Sequence, residues 1–257
     1  MYFIDVQGTL ISDSDKSPIN GACELIDILN LKNIPYVVIT NNTKAKSDDF
    51  LEDLHKKGLN IKDGAYLDPF CVLKETLSPS NAAMFGASEF IATMQSLGYM
   101  QDLKNPKAVL IASWDDFKFS DFASINELIL NGAEFIAMHE TSIYKKNGRL
   151  YPGVGAIAAM VSYSTGASYK AIGKPSMAFY NEALRLINLQ KPGVKFSDIT
   201  IISDDAKGDL VGAKELGMKT VLVLSGKVSD AAKTGVKENM IDQIYKDVQN
   251  YIKVINA

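Results

Sequence analysis

Histidine and cysteine are scarce in this chain. Each occurs twice among 257 residues, too few for a zinc centre built from imidazole and thiolate. Cys23 and Cys71 stand well apart in the sequence. Without a denser cysteine framework they read as reduced, buried small hydrophobes, the usage of a cytoplasmic protein. Positive charge is not in excess either. Lys and Arg number 27 against 30 Asp and Glu, a net charge of −3, so no basic surface is expected to hold nucleic acid by counterion release. Long apolar runs are missing, and none nears the ~18 residues of a membrane span. No basic segment precedes an apolar one at the start, so no signal peptide is expected. Linkers, low-complexity tracts and repeats of solenoid length are absent as well.

What is present is ordinary globular composition, 47% apolar and 22% charged, in a chain long enough for one large core or two modest domains. Short apolar runs at 1–4, 36–40, 82–85, 109–112, 135–138, 169–172, 199–202 and 220–224 read as buried strands. Between them, apolar residues recur at helical spacing, as in Ala22, Leu25, Ile26 and Leu29, or Phe179, Ala183, Leu184 and Ile187. Gly58, Gly98, Gly132 and Gly217 follow predicted helices as stop signals. Residues 151–155 read as a glycine-rich loop before an apolar helix through Met160. Strand and helix alternating at these lengths imply βαβ units, hence an α/β fold with a Rossmann-like, doubly wound parallel sheet. The expected division is a core made of 1–67 plus 169–257, with an inserted α/β module at 68–168.

The chemistry collects where strands end. Asp5 and Gln7 follow the first strand, Thr40 and Asn41 close the second, Lys174 follows the strand after the insert, and Asp204, Asp205 and Asp209 follow the next. In an open parallel sheet such ends share one edge, where ligands bind. Carboxylates, a lysine and hydroxyl or amide donors in one crevice suit a phosphate and a divalent cation. Mg²⁺ takes one or two carboxylates and completes its shell with waters and phosphate oxygens. Asp5 and Asp204 can be those carboxylates, and Asp5 can also attack phosphorus. Lys174 and the cation would offset the repulsion between anions, while Thr40 and Asn41 donate to phosphoryl oxygens.

On these stretches the chain resembles the haloacid dehalogenase (HAD) superfamily, and within it the NagD-like phosphatases that carry a large inserted cap. The residues concerned are Asp5-Val6-Gln7-Gly8-Thr9-Leu10, Ile39-Thr40-Asn41-Asn42, Gly173-Lys174-Pro175 and Ile202-Ser203-Asp204 through Asp209, with Pro152-Gly153-Val154-Gly155 and Leu224-Ser225-Gly226 as further likenesses. The resemblance implies a Mg²⁺-dependent phosphohydrolase acting on a small phosphorylated metabolite. Asp5 would be nucleophile and metal ligand, and the main-chain carbonyl of Gln7 a second ligand. Thr40 and Asn41 would hold the phosphoryl group, and Lys174 would tie it to the nucleophile. Asp204 would ligate the metal, with Asp209 a ligand through water or an outer partner. Partners such as nucleic acid or membrane are not implied, and a homodimer is left open.

One position departs from the pattern. Where family phosphatases carry a second Asp, two residues after the nucleophile, this chain has Gln7. An amide neither gives nor takes a proton near neutral pH. Slow turnover of alkyl phosphates is therefore expected, with aryl and acyl phosphates less affected. Two alternatives stand beside the hydrolase: a catalytically impaired phosphoryl-binding or regulatory protein, and a metal-independent dehalogenase in which Asp5 attacks carbon. Other residues read as structural. His139 suits a partly buried structural role better than substrate contact, His55 a solvated helix face, and Asp205 a helix-start charge. Trp114-Asp115-Asp116 reads equally well as the mouth of the insert or as a loop with helix-starting acids.

Overall fold

The computed structural model describes residues 1–146 and 149–255. In chain order its elements are β1 (Tyr2–Asp5), α1 (Ala22–Leu31), β2 (Tyr36–Ile39), α2 (Ser47–Lys56), β3 (Tyr66–Leu67), α3 (Pro69–Thr76), β4 (Asn81–Phe85), α4 (Ser88–Ser96), β5 (Met100–Gln101), β6 (Ala108–Ile111), α5 (Phe119–Leu130), β7 (Glu134–Ala137), β8 (Ile143–Lys146), β9 (Arg149–Pro152), α6 (Val154–Thr165), β10 (Lys170–Ala171), α7 (Met177–Gln190), β11 (Thr200–Ser203), α8 (Val211–Glu215), β12 (Lys219–Val223), β13 (Gln243–Tyr245) and α9 (Val248–Ile255).

Two compact units result. The first comprises 1–40, 48–67 and 180–257. Its sheet runs β13-β12-β11-β1-β2-β3, every pairing parallel. Parallel strands are covered on both faces and so read as unbroken apolar runs; Phe3, Ile4, Val37, Val38, Ile201 and Ile202 are all fully buried. One face packs α1 and α9 through Leu25, Ile26, Leu29, Val248 and Ile252. Each such side chain contributes roughly 1.5–3 kcal/mol by leaving water.

The second unit comprises 41–47 and 68–179. Its own parallel sheet has the order β10-β7-β6-β4-β5, and β8 and β9 form a separate antiparallel hairpin. The unit thus includes 41–47 and 169–179 together with the expected insert 68–168. The strand leading to Lys174 is a correction: expected in the core sheet, it is β10, and it pairs with β7 of the second unit, Lys170 opposite Ile136. Tyr169 stacks edge-on against Phe135 beside that pairing. The pattern told a strand from a helix but carried no information about which sheet would take it. The glycine-rich loop at 151–155 is also corrected. Tyr151 and Pro152 finish β9, and Gly153 is the N-cap of α6.

Helix α3 was not anticipated, although its start has a plain signature. Asp68 is the N-cap, accepting from the N–H groups of Phe70 and Cys71, and Pro69 opens the helix. No helix among the described residues is long and apolar enough to cross a membrane.

Candidate active site

The core sheet changes winding direction between β1 and β11: β1 leads on to β2 and β3 on one side, β11 to β12 and β13 on the other. Crevices at such points, outside the carboxyl ends of the strands, are where open α/β sheets hold ligands. Asp5 is the last residue of β1 and Asp204 the first after β11, on neighbouring strands whose register sets Ile4 beside Ile202. Both carboxylates are buried, at 5% and 2% exposure.

Short contacts bind these segments together. The Thr9 hydroxyl donates to Asp5 Oδ2 at 3.3 Å and accepts the Asp204 N–H at 3.1 Å. The Ser225 hydroxyl donates to the Gly8 carbonyl at 2.7 Å, and the Lys227 N–H donates to Asp204 Oδ2 at 2.6 Å. Gly8, at φ +77°, and Gly226 leave no room for side chains. A Cβ on either would stand 2.2 Å and 2.0 Å respectively from Asp204 Oδ2. Gly226→Ala should therefore overpack the site at a cost of about 1–3 kcal/mol. Thermal unfolding is expected to report a lower Tm, and an unchanged Tm would mean that the loop relaxes freely.

Burial, and secondly the charge of Asp5, push the Asp204 carboxyl well above the usual carboxylate range. Two buried carboxylates that repel one another form a donor set suited to a divalent cation, since Mg²⁺ accepts one or two carboxylates and fills its shell with other oxygens. Among the described residues no three His, Cys, Asp or Glu side chains are grouped to hold a metal. The fit is therefore to two carboxylates completed by carbonyl and water oxygens. Asp209 is buried, and its carboxylate accepts the Ser203 hydroxyl at 2.7 Å. It lies in a π-helical turn, Ala206–Leu210. Asp205 caps that turn by accepting the Gly208 N–H at 2.8 Å, the helix-start role expected of it, and also pairs with Lys227.

Thr40 is fully buried just past β2. Its N–H donates to the Leu67 carbonyl at 3.0 Å, and its hydroxyl donates to Gln7 Oε1 at 2.8 Å. Asp5, Gln7, Thr40, Asp204 and Asp209 thus all belong to the first unit.

Asn41 and Lys174 belong to the second unit and hold one another there. Asn41 Oδ1 accepts the Lys174 N–H at 2.8 Å, and Asn41 Nδ2 donates to the Lys174 carbonyl at 3.3 Å and to the Thr141 hydroxyl at 3.4 Å. A Cβ on Gly173 would come within 2.4 Å of the Met138 carbonyl, so glycine permits that approach. Lys174 is only 3% exposed.

His139 is buried. Its Nδ1 accepts the Thr141 N–H at 3.4 Å, and its Nε2 lies 3.0 Å from the Ser113 hydroxyl. His55 Nε2 lies 2.9 Å from the Ile61 carbonyl. Trp114 and Asp115 help to line a cavity of about 220 Å³ within the second unit, with Lys44, Ser88, Ser113 and Tyr144. The sequence assigns no role to Thr9, which it offers only as part of the stretch Asp5–Leu10, nor to Lys227, because neither residue type carries a local signal; their roles arise only when β1, β11 and β12 lie side by side.

Residues 2–100 match the family model for haloacid dehalogenase-like hydrolases, and residues 171–250 match a second HAD-hydrolase-like model. An acid sugar phosphatase of Staphylococcus aureus (strain USA300) is 30% identical over 233 residues, spanning 88% of this chain and 86% of that protein. In fold, the chain is similar to a p-nitrophenyl phosphatase from Archaeoglobus fulgidus, with TM-score 0.79 and 22% identity over 98% of both chains. It is likewise similar to NagD from E. coli K-12, with TM-score 0.74 and 22% identity over 96% of both. The chain belongs to the haloacid dehalogenase-like hydrolase family and has the NagD-like α/β fold.

Proposed function

We propose that this protein is a phosphatase that hydrolyses a small phosphorylated metabolite with Mg²⁺, through an aspartyl-phosphate on Asp5. The observation that carries the reading is the pair Asp5 and Asp204, buried together at the sheet's switch point and closed in by Gly8 and Gly226. The names of relatives, acid sugar phosphatase and p-nitrophenyl phosphatase, support the same class of substrate.

In this reading the Asp5 carboxylate attacks phosphorus while the Thr9 hydroxyl orients it. The cation would be held by Asp5, Asp204 and the main-chain carbonyl of Gln7, with Asp209 as an outer partner. When bound, it supplies positive charge against the phosphoryl oxygens. Lys174 would supply positive charge and the Asn41 main chain a hydrogen bond to the phosphoryl group; the Thr40 hydroxyl would join them by turning its donor from Gln7 Oε1. The Asn41 side-chain amide has a different task, fastening the main chain of Lys174. Gln7 takes no proton, so release of the phosphoryl group to water is slow. The two free thiols support a cytoplasmic setting.

A ligand that binds only the folded state raises stability, by about 2.7 kcal/mol at a hundred times its Kd. Tm is therefore expected to climb with Mg²⁺ concentration in the natural protein and to stay flat in Asp204→Asn. A flat response in both would remove the cation from this proposal. The regulatory alternative draws on one observation, the amide at position 7. It would be favoured if neither the natural protein nor Gln7→Asp hydrolysed any phosphate ester with Mg²⁺. Chloride release from a haloacid without metal would favour the dehalogenase, which leaves Asp204 without a task.

A further inference from the structure

We propose that Lys227 sets the affinity of the cation site, its fixed ammonium holding a divalent ion more weakly than the neighbouring carboxylates alone would. This rests on the reading above, in which Asp5 and Asp204 hold Mg²⁺, and concerns how tightly they do so. The ground is the double attachment of Lys227 to the segment after β11. Its main-chain N–H donates to Asp204 Oδ2 at 2.6 Å, and its side-chain ammonium pairs with the carboxylate of Asp205, the next residue along.

That pairing fixes where the ammonium lies, because Asp205 is itself held in place. Its N–H donates to the Ser203 hydroxyl at 3.0 Å, and its Oδ1 accepts the Gly208 N–H at 2.8 Å. The same Ser203 hydroxyl donates to the buried Asp209 carboxylate at 2.7 Å. The charge is felt across this cluster. At Asp204, where burial and then the Asp5 charge push the carboxyl up, the ammonium acts in the opposite sense. Burial disfavours the ammonium, but Asp205, Asp209 and Asp204 outweigh it, so Lys227 stays charged at neutral pH.

A divalent ion held by Asp5 and Asp204 meets this ammonium as a like charge, so part of the carboxylates' attraction is cancelled before the ion arrives. The main-chain bond to Asp204 does not depend on the side chain. Replacing the side chain therefore removes the charge and keeps the carboxylate's orientation. It also leaves the Asp205 charge unopposed, which acts in the same direction. The Lys227 and Asp205 side chains are 42% and 17% exposed, and an ion pair so open to water adds little to folding. Tm without cation should scarcely move.

The experiment titrates Mg²⁺ alone, by calorimetry, into the natural protein, Lys227→Met and Lys227→Arg. Lys227→Met is expected to bind about five- to thirtyfold more tightly, the effect of a unit charge near a divalent ion when water screens part of it. Lys227→Arg keeps the charge and should stay near the natural Kd. The gap between the natural protein and Lys227→Met should narrow as salt is raised, because screening shortens the reach of the ammonium. A role in packing alone would show no such narrowing. Equal or weaker binding in Lys227→Met would overturn the proposal, as would an equal tightening in Lys227→Arg; either result leaves the cation itself in place. Absence of binding in all three proteins would remove the cation, and this proposal with it. Should Lys227→Met fail to fold, Lys227→Gln, also neutral and unbranched, carries the same expectations.

Discussion

Asp5→Asn is expected to abolish p-nitrophenyl phosphate hydrolysis, lowering kcat by roughly 10⁴-fold or more, as removal of a nucleophile does elsewhere. On the scale of 1.36 kcal/mol per tenfold, that is at least about 5 kcal/mol of barrier. The amide is nearly isosteric and can still accept the Thr9 hydroxyl through its carbonyl oxygen. It is a far poorer nucleophile than a carboxylate. It also removes the charge that, after burial, holds the Asp204 carboxyl above its usual range. The variant's Tm without divalent cation should therefore equal or exceed that of the natural protein. This separates loss of chemistry from loss of fold. Retention of more than a tenth of the activity at normal Tm would show that Asp5 does not attack phosphorus.

Gln7→Asp should have the opposite effect, raising steady hydrolysis of alkyl phosphates by about 10²–10⁴-fold. An Asp at this position can still accept the Thr40 hydroxyl bond that Gln7 Oε1 now receives. Its second oxygen becomes able to protonate a leaving alkoxide and then to take the proton of the attacking water. The gain should be larger for alkyl than for aryl phosphates, because a phenolate departs without a proton. Measurement of kcat on both substrate types checks the contrast. An equal gain on both would place the whole effect in the shared release to water, and no change on either would mean that position 7 takes no part in proton transfer.

Much of this site could be read before any fold was known. Asp5, Thr40 and Asp204 follow unbroken apolar runs, and in the structure they stand at or immediately after the ends of β1, β2 and β11. Periodicity reveals such runs because a buried parallel strand has no polar face to interrupt it. Short or exposed strands escaped. Tyr66–Leu67 and Met100–Gln101 span two residues each, too few to establish a period, and Gln243–Tyr245 is largely exposed. The π-helical turn at Ala206–Leu210 was equally hidden, since its residues carry no period of their own.

The sequence by itself determined the α/β class, the order of the longer buried strands and the helices between them, and the carboxylates and glycines around Asp5 and Asp204, because these follow from local pattern and residue type. Only tertiary structure decided that Lys170–Ala171 joins Glu134–Ala137 rather than the core sheet, that Thr9 bridges Asp5 and Asp204, and that Thr40 holds Gln7. The physical reason is range. A strand's identity is written in a few neighbouring side chains, whereas its partner is chosen by side-chain contacts and hydrogen bonds to residues remote in the chain.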